Sequence, residues 1–235
     1  MTPIPHTLRL LGAALLALAT LLALAPTASA DTGRTAAPPP TADDTVEIMA
    51  GNPVYGTGTR CTIGATVRTA DGTGGFLTAA TCGPAGATVR LSNGETGVIV
   101  WSSREDGVAF VRAKENWILT PYANRYQGGG HLTIRGSQEA PVGAAVCRSG
   151  PTTGWRCGTI QAKNQTVAFP WGAMRGLTRI SACAEPGDEG GPVYRDGQLQ
   201  GLIVGGSGNC RTGGTTFFKP INPILHKYNL RLVTG

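Results

Sequence analysis

The chain has 235 residues, including 35 glycines and 16 prolines; 14% of it is charged, and its formal net charge is +6. That composition excludes a long-helix or coiled-coil protein and favours short strands joined by many turns. The basic residues are scattered singly, with no Lys/Arg run or aromatic–basic interleaving, so nucleic acid is not an expected partner.

Residues 1–30 read as a secretory signal. Arg9 supplies the positive start, residues 10–25 an apolar core, and Ala28-Ser29-Ala30 a small-residue cleavage site. Cleavage there would leave 205 residues (235 − 30) with a charge of +5, because Arg9 is the only charged residue removed. No other stretch is apolar enough to span a bilayer, so a secreted, extracellular protein without a membrane partner is expected. Residues 31–45 form a Pro/Ala/Thr-rich linker with no core-forming pattern.

The globular region is expected over 46–235. Short apolar runs recur at 62–68, 74–80, 87–91, 97–101, 107–112, 131–135, 143–147, 158–162, 165–169, 176–182, 192–194, 199–204 and 215–219. Gly, Pro, Asn or Asp separates most of them. The spacing predicts an all-β fold of two antiparallel barrels with about six strands each. The first would span about 46–120 and the second about 128–220, with the crossover at Gly128–Gly130. A short helix is predicted over about 222–230. Asn222 would cap it, Pro223 would take the first helical position, and Ile224, Leu225 and Tyr228 would form its apolar face.

Six cysteines follow the signal segment, an even set that implies three disulfides and an oxidising compartment. Spacing alone leaves fifteen pairings open. There is no CxxC, and no metal-like cluster forms around His131 or His226. Both read as surface histidines. No metal or cofactor is expected, and the protein is expected to be a monomer.

Three stretches are highly specific: 146–160 (VCRSGPTTGWRCGTI), 183–193 (CAEPGDEGGPV) and 205–221 (GGSGNCRTGGTTFFKPI). With them the chain resembles the secreted bacterial chymotrypsin-fold serine proteases, the streptogrisin and alpha-lytic protease group, over essentially all of 48–235. The resemblance implies a double β-barrel and the disulfides Cys61–Cys82, Cys147–Cys157 and Cys183–Cys210. It also implies a peptide-binding edge at Val204-Gly205-Gly206, with Ala184, Pro186, Gly206 and Thr216 near a specificity pocket.

The catalytic positions depart from that group. Its G-D-S-G-G-P motif appears as Gly187-Asp188-Glu189-Gly190-Gly191-Pro192, so Glu189 stands where the nucleophilic serine belongs. Gly187 would contribute to the oxyanion hole, and a carboxylate beside that hole would either repel an oxyanion or occupy the hole itself. The histidine motif reads Thr78-Ala79-Ala80-Thr81-Cys82, and a Thr81 hydroxyl cannot accept a proton near neutral pH. Anchored on Val108–Arg112, the aspartate position falls on Gly107, with Asp106 one place early. In extended backbone that slip points Asp106 to the opposite face unless a bulge restores it. Val204 replaces a serine that would support the aspartate. The reading is a secreted, non-catalytic homologue that binds extended peptides or protease inhibitors. The alternatives are an active serine-type peptidase and, less favoured, a hydrolase using Asp106 and Glu189 as a carboxylate pair.

Overall fold

The computed structural model describes residues 45–235. The expected signal segment and all but the last residue of the expected linker lie outside the described residues.

In chain order the strands are β1 (Val46–Ala50), β2 (Pro53–Tyr55), β3 (Arg60–Thr62), β4 (Ala65–Thr69), β5 (Gly74–Ala79), β6 (Thr88–Leu91), β7 (Thr96–Ser103), β8 (Val108–Arg112), β9 (Trp117–Asn124) and β10 (His131–Thr133). They continue as β11 (Ala145–Gly150), β12 (Gly154–Phe169), β13 (Gly172–Ile180), β14 (Pro192–Arg195), β15 (Gln198–Asn209) and β16 (Gly213–Pro220). Helix α1 (Ile221–Lys227) and β17 (Leu230–Leu232) end the chain.

The described residues are mostly β, as expected, with one short helix near the end. The second half is the predicted six-stranded closed barrel, in the order β11-β12-β13-β16-β15-β14. Its core packs Val146, Ile160, Ile180, Val193, Ile203 and Phe218. The first half is larger than a six-stranded barrel. An eight-stranded barrel-like sheet runs β17-β4-β5-β8-β7-β6-β2-β3, and β1, β9 and β10 form a separate three-stranded sheet. Strand alternation fixes which face of a strand is apolar but not which strand it pairs with. Leu230-Arg231-Leu232 therefore returns from the chain's end to pair with β4.

Two boundaries need correction. Gly128–Gly130 is not the crossover; it lies in the turn joining β9 to β10, which pair antiparallel. The closed barrel starts only at β11. The helix begins one residue early and is shorter than predicted. Pro220, not Asn222, occupies the N-cap, and Pro223 is the third helical residue. Asn222 instead donates from Nδ2 to Ser137 O at 2.9 Å. Burial of Ile221 and Ile224 holds the helix, one turn apart on a single face.

Candidate functional site

The turn of residues 183–191 is built around a buried ion pair. Asp188 and Arg148 are both fully buried, with Arg148 Nη1 3.3 Å from Asp188 Oδ2. The carboxylate also accepts from Thr152 N–H at 2.9 Å, Thr153 Oγ1 at 2.6 Å and Glu185 N–H at 3.1 Å. Arg148 Nε in turn donates to Cys183 O at 2.7 Å. With most donors and acceptors matched, the pair fixes the turn instead of destabilising it. Sequence reasoning did not single out Arg148 or Asp188; only their place inside two of the specific motifs hinted at them.

Against this frame the turn presses on the first half of the molecule. Thr62 N–H donates to Glu189 O at 2.9 Å, and Thr62 Oγ1 donates to Gly187 O at 2.9 Å. A Cβ at Gly190 would fall 2.5 Å from Ala79 N, so only glycine allows the approach. This brings Glu189 close to the end of β5, the segment that leads into Thr81.

The Glu189 side chain folds back over the turn. Its Oε2 accepts the Gly187 N–H at 2.7 Å. The Gly187 N–H, the donor that the resemblance assigns to an oxyanion hole, is thus taken by a carboxylate in a short charge-assisted bond.

Thr81 is exposed, in the 3-10 turn Ala80–Cys82 that follows β5. Ala80 N–H donates to Gly107 O at 3.1 Å, which sets Gly107 beside it. Gly107 has φ +71, and a Cβ there would lie 2.6 Å from Val204 Cγ1 and 3.1 Å from Met174 Cε. Gly107, Met174 and Val204 thus close ranks where the family's aspartate would project. Val204 is 4% exposed and packs with Met174 and Leu177.

Asp106 does not face this place, and no bulge redirects it. It points to the opposite side and binds the end of α1. Its Oδ2 accepts from Lys227 Nζ at 2.7 Å, Tyr228 Oη at 2.7 Å and Ser103 Oγ at 3.0 Å. Burial opposes its ionisation, but the bonds from Lys227, Tyr228 and Ser103 together prevail and hold its carboxyl below the usual range. The proposed Asp106–Glu189 carboxylate pair is therefore corrected: the two carboxylates serve different partners on different faces.

Two cavities flank β15. One, of about 290 Å³, is lined by Ala184, Glu185, Pro186, Glu189, Ile203 and Gly205–Gly208. Ala184, Pro186 and Gly206, expected near a pocket, and Gly205, expected on the edge, all line this cavity together with Glu185. Thr216 does not line it; it is fully buried and paired with Gly206 across β15–β16. The other cavity, of about 200 Å³, is lined by Ala79, Ala80, Thr81, Arg104, Gly107, Trp171, Met174 and Val204. Trp171, Met174 and Arg104 were missed from sequence, since no motif marks them.

Along β15 the bonding toward β14 and the 183–191 turn ends at Ile203. Gly190 N–H donates to Ile203 O at 2.7 Å, and Ile203 N–H donates to Gly191 O at 2.8 Å. From Gly205 to Gly208 the strand pairs only with β16. That stretch presents a free backbone edge between the cavities. The three disulfides join Cys61–Cys82, Cys147–Cys157 and Cys183–Cys210, the pairing the resemblance implied. Among the described residues the histidines are His131, its ring tilted against that of Tyr122, and His226 in α1; neither lines either cavity. Among those residues there is also no cluster of possible metal ligands, and no helix is long and apolar enough to cross a membrane.

Comparison with known proteins agrees with this fold. Residues 48–227 match the family profile described as Trypsin. The chain is 46% identical over 192 residues to Streptogrisin-C of Streptomyces griseus, covering 80% of this chain and 42% of that protein. It is thus similar to less than half of that relative's length. Among solved structures, Thermobifida fusca Protease A is 49% identical with a TM-score of 0.76, covering 81% of this chain and 100% of that one. Nocardiopsis Protease is 50% identical with a TM-score of 0.77, covering 80% and 100%. The chain belongs to the trypsin family.

Proposed function

We propose that this protein is a secreted, monomeric trypsin-family member that binds extended peptide, or the exposed loop of a protease inhibitor, without cleaving it. One observation carries the reading: Glu189 stands at the serine position with its carboxylate on the Gly187 N–H. A carboxylate there supplies no acyl-transfer nucleophile to a peptide bond and takes the donor an oxyanion would need. Thr81 supplies no base. In a comparable triad, loss of the serine or the histidine alone lowers kcat by about 10⁶.

The binding surface is retained. An extended peptide adds main-chain hydrogen bonds to a free strand edge and gains specificity from side-chain pockets. Gly205–Gly208 offers the edge and the flanking cavities offer the pockets. Secretion is supported by the apolar 10–25 segment with Ala28-Ser29-Ala30 and by three disulfides.

A second reading, an active serine-type peptidase, draws support from the relatives, which are named as proteases. It requires a nucleophile and a base outside the positions of Glu189 and Thr81. The experiment is incubation with a panel of fluorogenic peptide amides and an organophosphonate probe, followed by mass spectrometry. The expected result is peptide bound and recovered intact with no covalent adduct. A stoichiometric adduct on any serine, with turnover, overturns the non-catalytic reading.

A further inference from the structure

Beside Thr81, where the resemblance would place a catalytic imidazole, lies an apolar recess open to solvent. Its floor is Val204 and Met174, 4% and 3% exposed, and Gly107 adds no side chain. Trp171 forms an exposed wall, stacked on Phe169 with ring centroids 4.9 Å apart. Only Thr81 and Arg104 bring polar side chains to its lining. A recess of this kind exposes apolar surface with no compensating bond, and covering it is favourable.

We propose that this recess receives a bulky apolar side chain of the bound peptide, of the leucyl or phenyl class, and so sets the specificity of the protein. The proposal rests on the peptide-binding reading above. Three observations support it. First, the volume fits: about 200 Å³ exceeds the roughly 150 Å³ apolar cavity that admits a benzene ring in an engineered protein. Second, the recess is continuous with the free edge. Val204 lines it, and the next residue, Gly205, lines the other cavity and begins the unpaired stretch. The two cavities thus lie on either side of consecutive residues of β15. Adjacent residues of an extended ligand point in opposite directions, so one peptide on this edge can address both cavities. Third, the lining is fixed where it matters. Met174 and Val204 belong to a packed cluster with Leu177, and Gly107 is held by the Ala80 N–H, which donates to its carbonyl. A preformed apolar wall binds with little ordering cost.

The specificity therefore arises from the residues that ended catalysis. An imidazole at position 81 would fill and polarise the recess, which Thr81 leaves open, while Val204 and Met174 take the space of a side chain at position 107 and give the recess its apolar floor.

The test is fluorescence anisotropy with capped, labelled hexapeptides in which Leu, Phe, Ala or Glu is scanned through each position. The proteins are the wild type, Val204→Phe to fill the recess, and Trp171→Ala to remove its exposed wall. Each is first checked for folding by near-ultraviolet circular dichroism. In the wild type, Leu or Phe at one position is expected to bind about tenfold to a hundredfold more tightly than Ala. That preference disappears in Val204→Phe and shrinks in Trp171→Ala. If Val204→Phe fails to fold, Trp171→Ala, at a residue 42% exposed, carries the same comparison. Binding of the Ala peptide with no apolar preference overturns this proposal and leaves the peptide-binding reading standing. So does a preference that survives both substitutions, or Glu as the favoured residue. Failure of every peptide, the Ala series included, overturns both.

Discussion

Gly107 and Val204 occupy each other's space: a Cβ on Gly107 would lie 2.6 Å from Val204 Cγ1. The positive φ of Gly107 adds a backbone cost for any other residue, though Asp tolerates that region better than most. Restoring an aspartate at position 107 is therefore expected to destabilise the protein unless Val204 is shortened too. Gly107→Asp and Val204→Ser should be non-additive in a double-mutant cycle followed by urea denaturation. The quadruple variant Thr81→His, Gly107→Asp, Glu189→Ser and Val204→Ser should hydrolyse peptide amides, with much weaker activity in Thr81→His plus Glu189→Ser alone. In the serine-protease template the missing carboxylate costs about 10⁴ in kcat. A two-substitution variant as active as the quadruple one would contradict the geometry at Gly107.

Replacing Arg148 by Met should cost about 3–5 kcal/mol, because it strands the fully buried Asp188 carboxylate. Removing both partners, as Arg148→Met with Asp188→Asn, should cost less than the sum of the single changes. Chemical denaturation of the three variants measures this. Peptide affinity should fall with the same single changes, since the ion pair holds the turn that carries Glu189.

Asp106 ties the β7–β8 turn to the end of α1, and its carboxyl is held below its usual range. A carboxyl so shifted stabilises the fold fully above its unfolded value of about 3.9. It loses that contribution as pH falls through the lower folded value. Asp106→Asn should therefore lower Tm by a few degrees at neutral pH. Against wild type the gap should close as pH drops below about 4. A gap unchanged from neutral pH to strongly acidic pH would contradict this.

The Cys183–Cys210 bridge spans 27 residues and pins the base of the 183–191 turn to the end of β15. Replacing both cysteines by Ala should cost about 3.5 kcal/mol in the loop-closure account. It should also loosen the cavity lined by Glu185 and Glu189, so peptide affinity and Tm should fall together. Calorimetry and anisotropy on the same preparation read both.

The sequence by itself determined the fold class, the closed second barrel and the chemical identities at positions 81, 107 and 189. These are local statements. Alternating apolar runs dictate strands, Gly and Pro dictate turns, and a motif surrounding one changed residue reveals the change. It also exposed the slip between Asp106 and Gly107 by counting back from Val108–Arg112, although the two residues lie in the turn before β8 and not in extended strand. What only the tertiary structure decided rests on long-range partners. Asp106 faces α1 because Lys227, 121 residues away, and Tyr228 bond its carboxylate there. Leu230–Leu232 joins the first half because β4 offers an edge, a pairing that no local pattern encodes. Gly128–Gly130 became a hairpin turn because β10 pairs back onto β9. The apolar recess needed Val204, Met174 and Trp171 from two hairpins to meet Gly107 from the other half of the molecule. Local chemistry is written along the chain, but which faces meet across the two halves is settled only when both are packed.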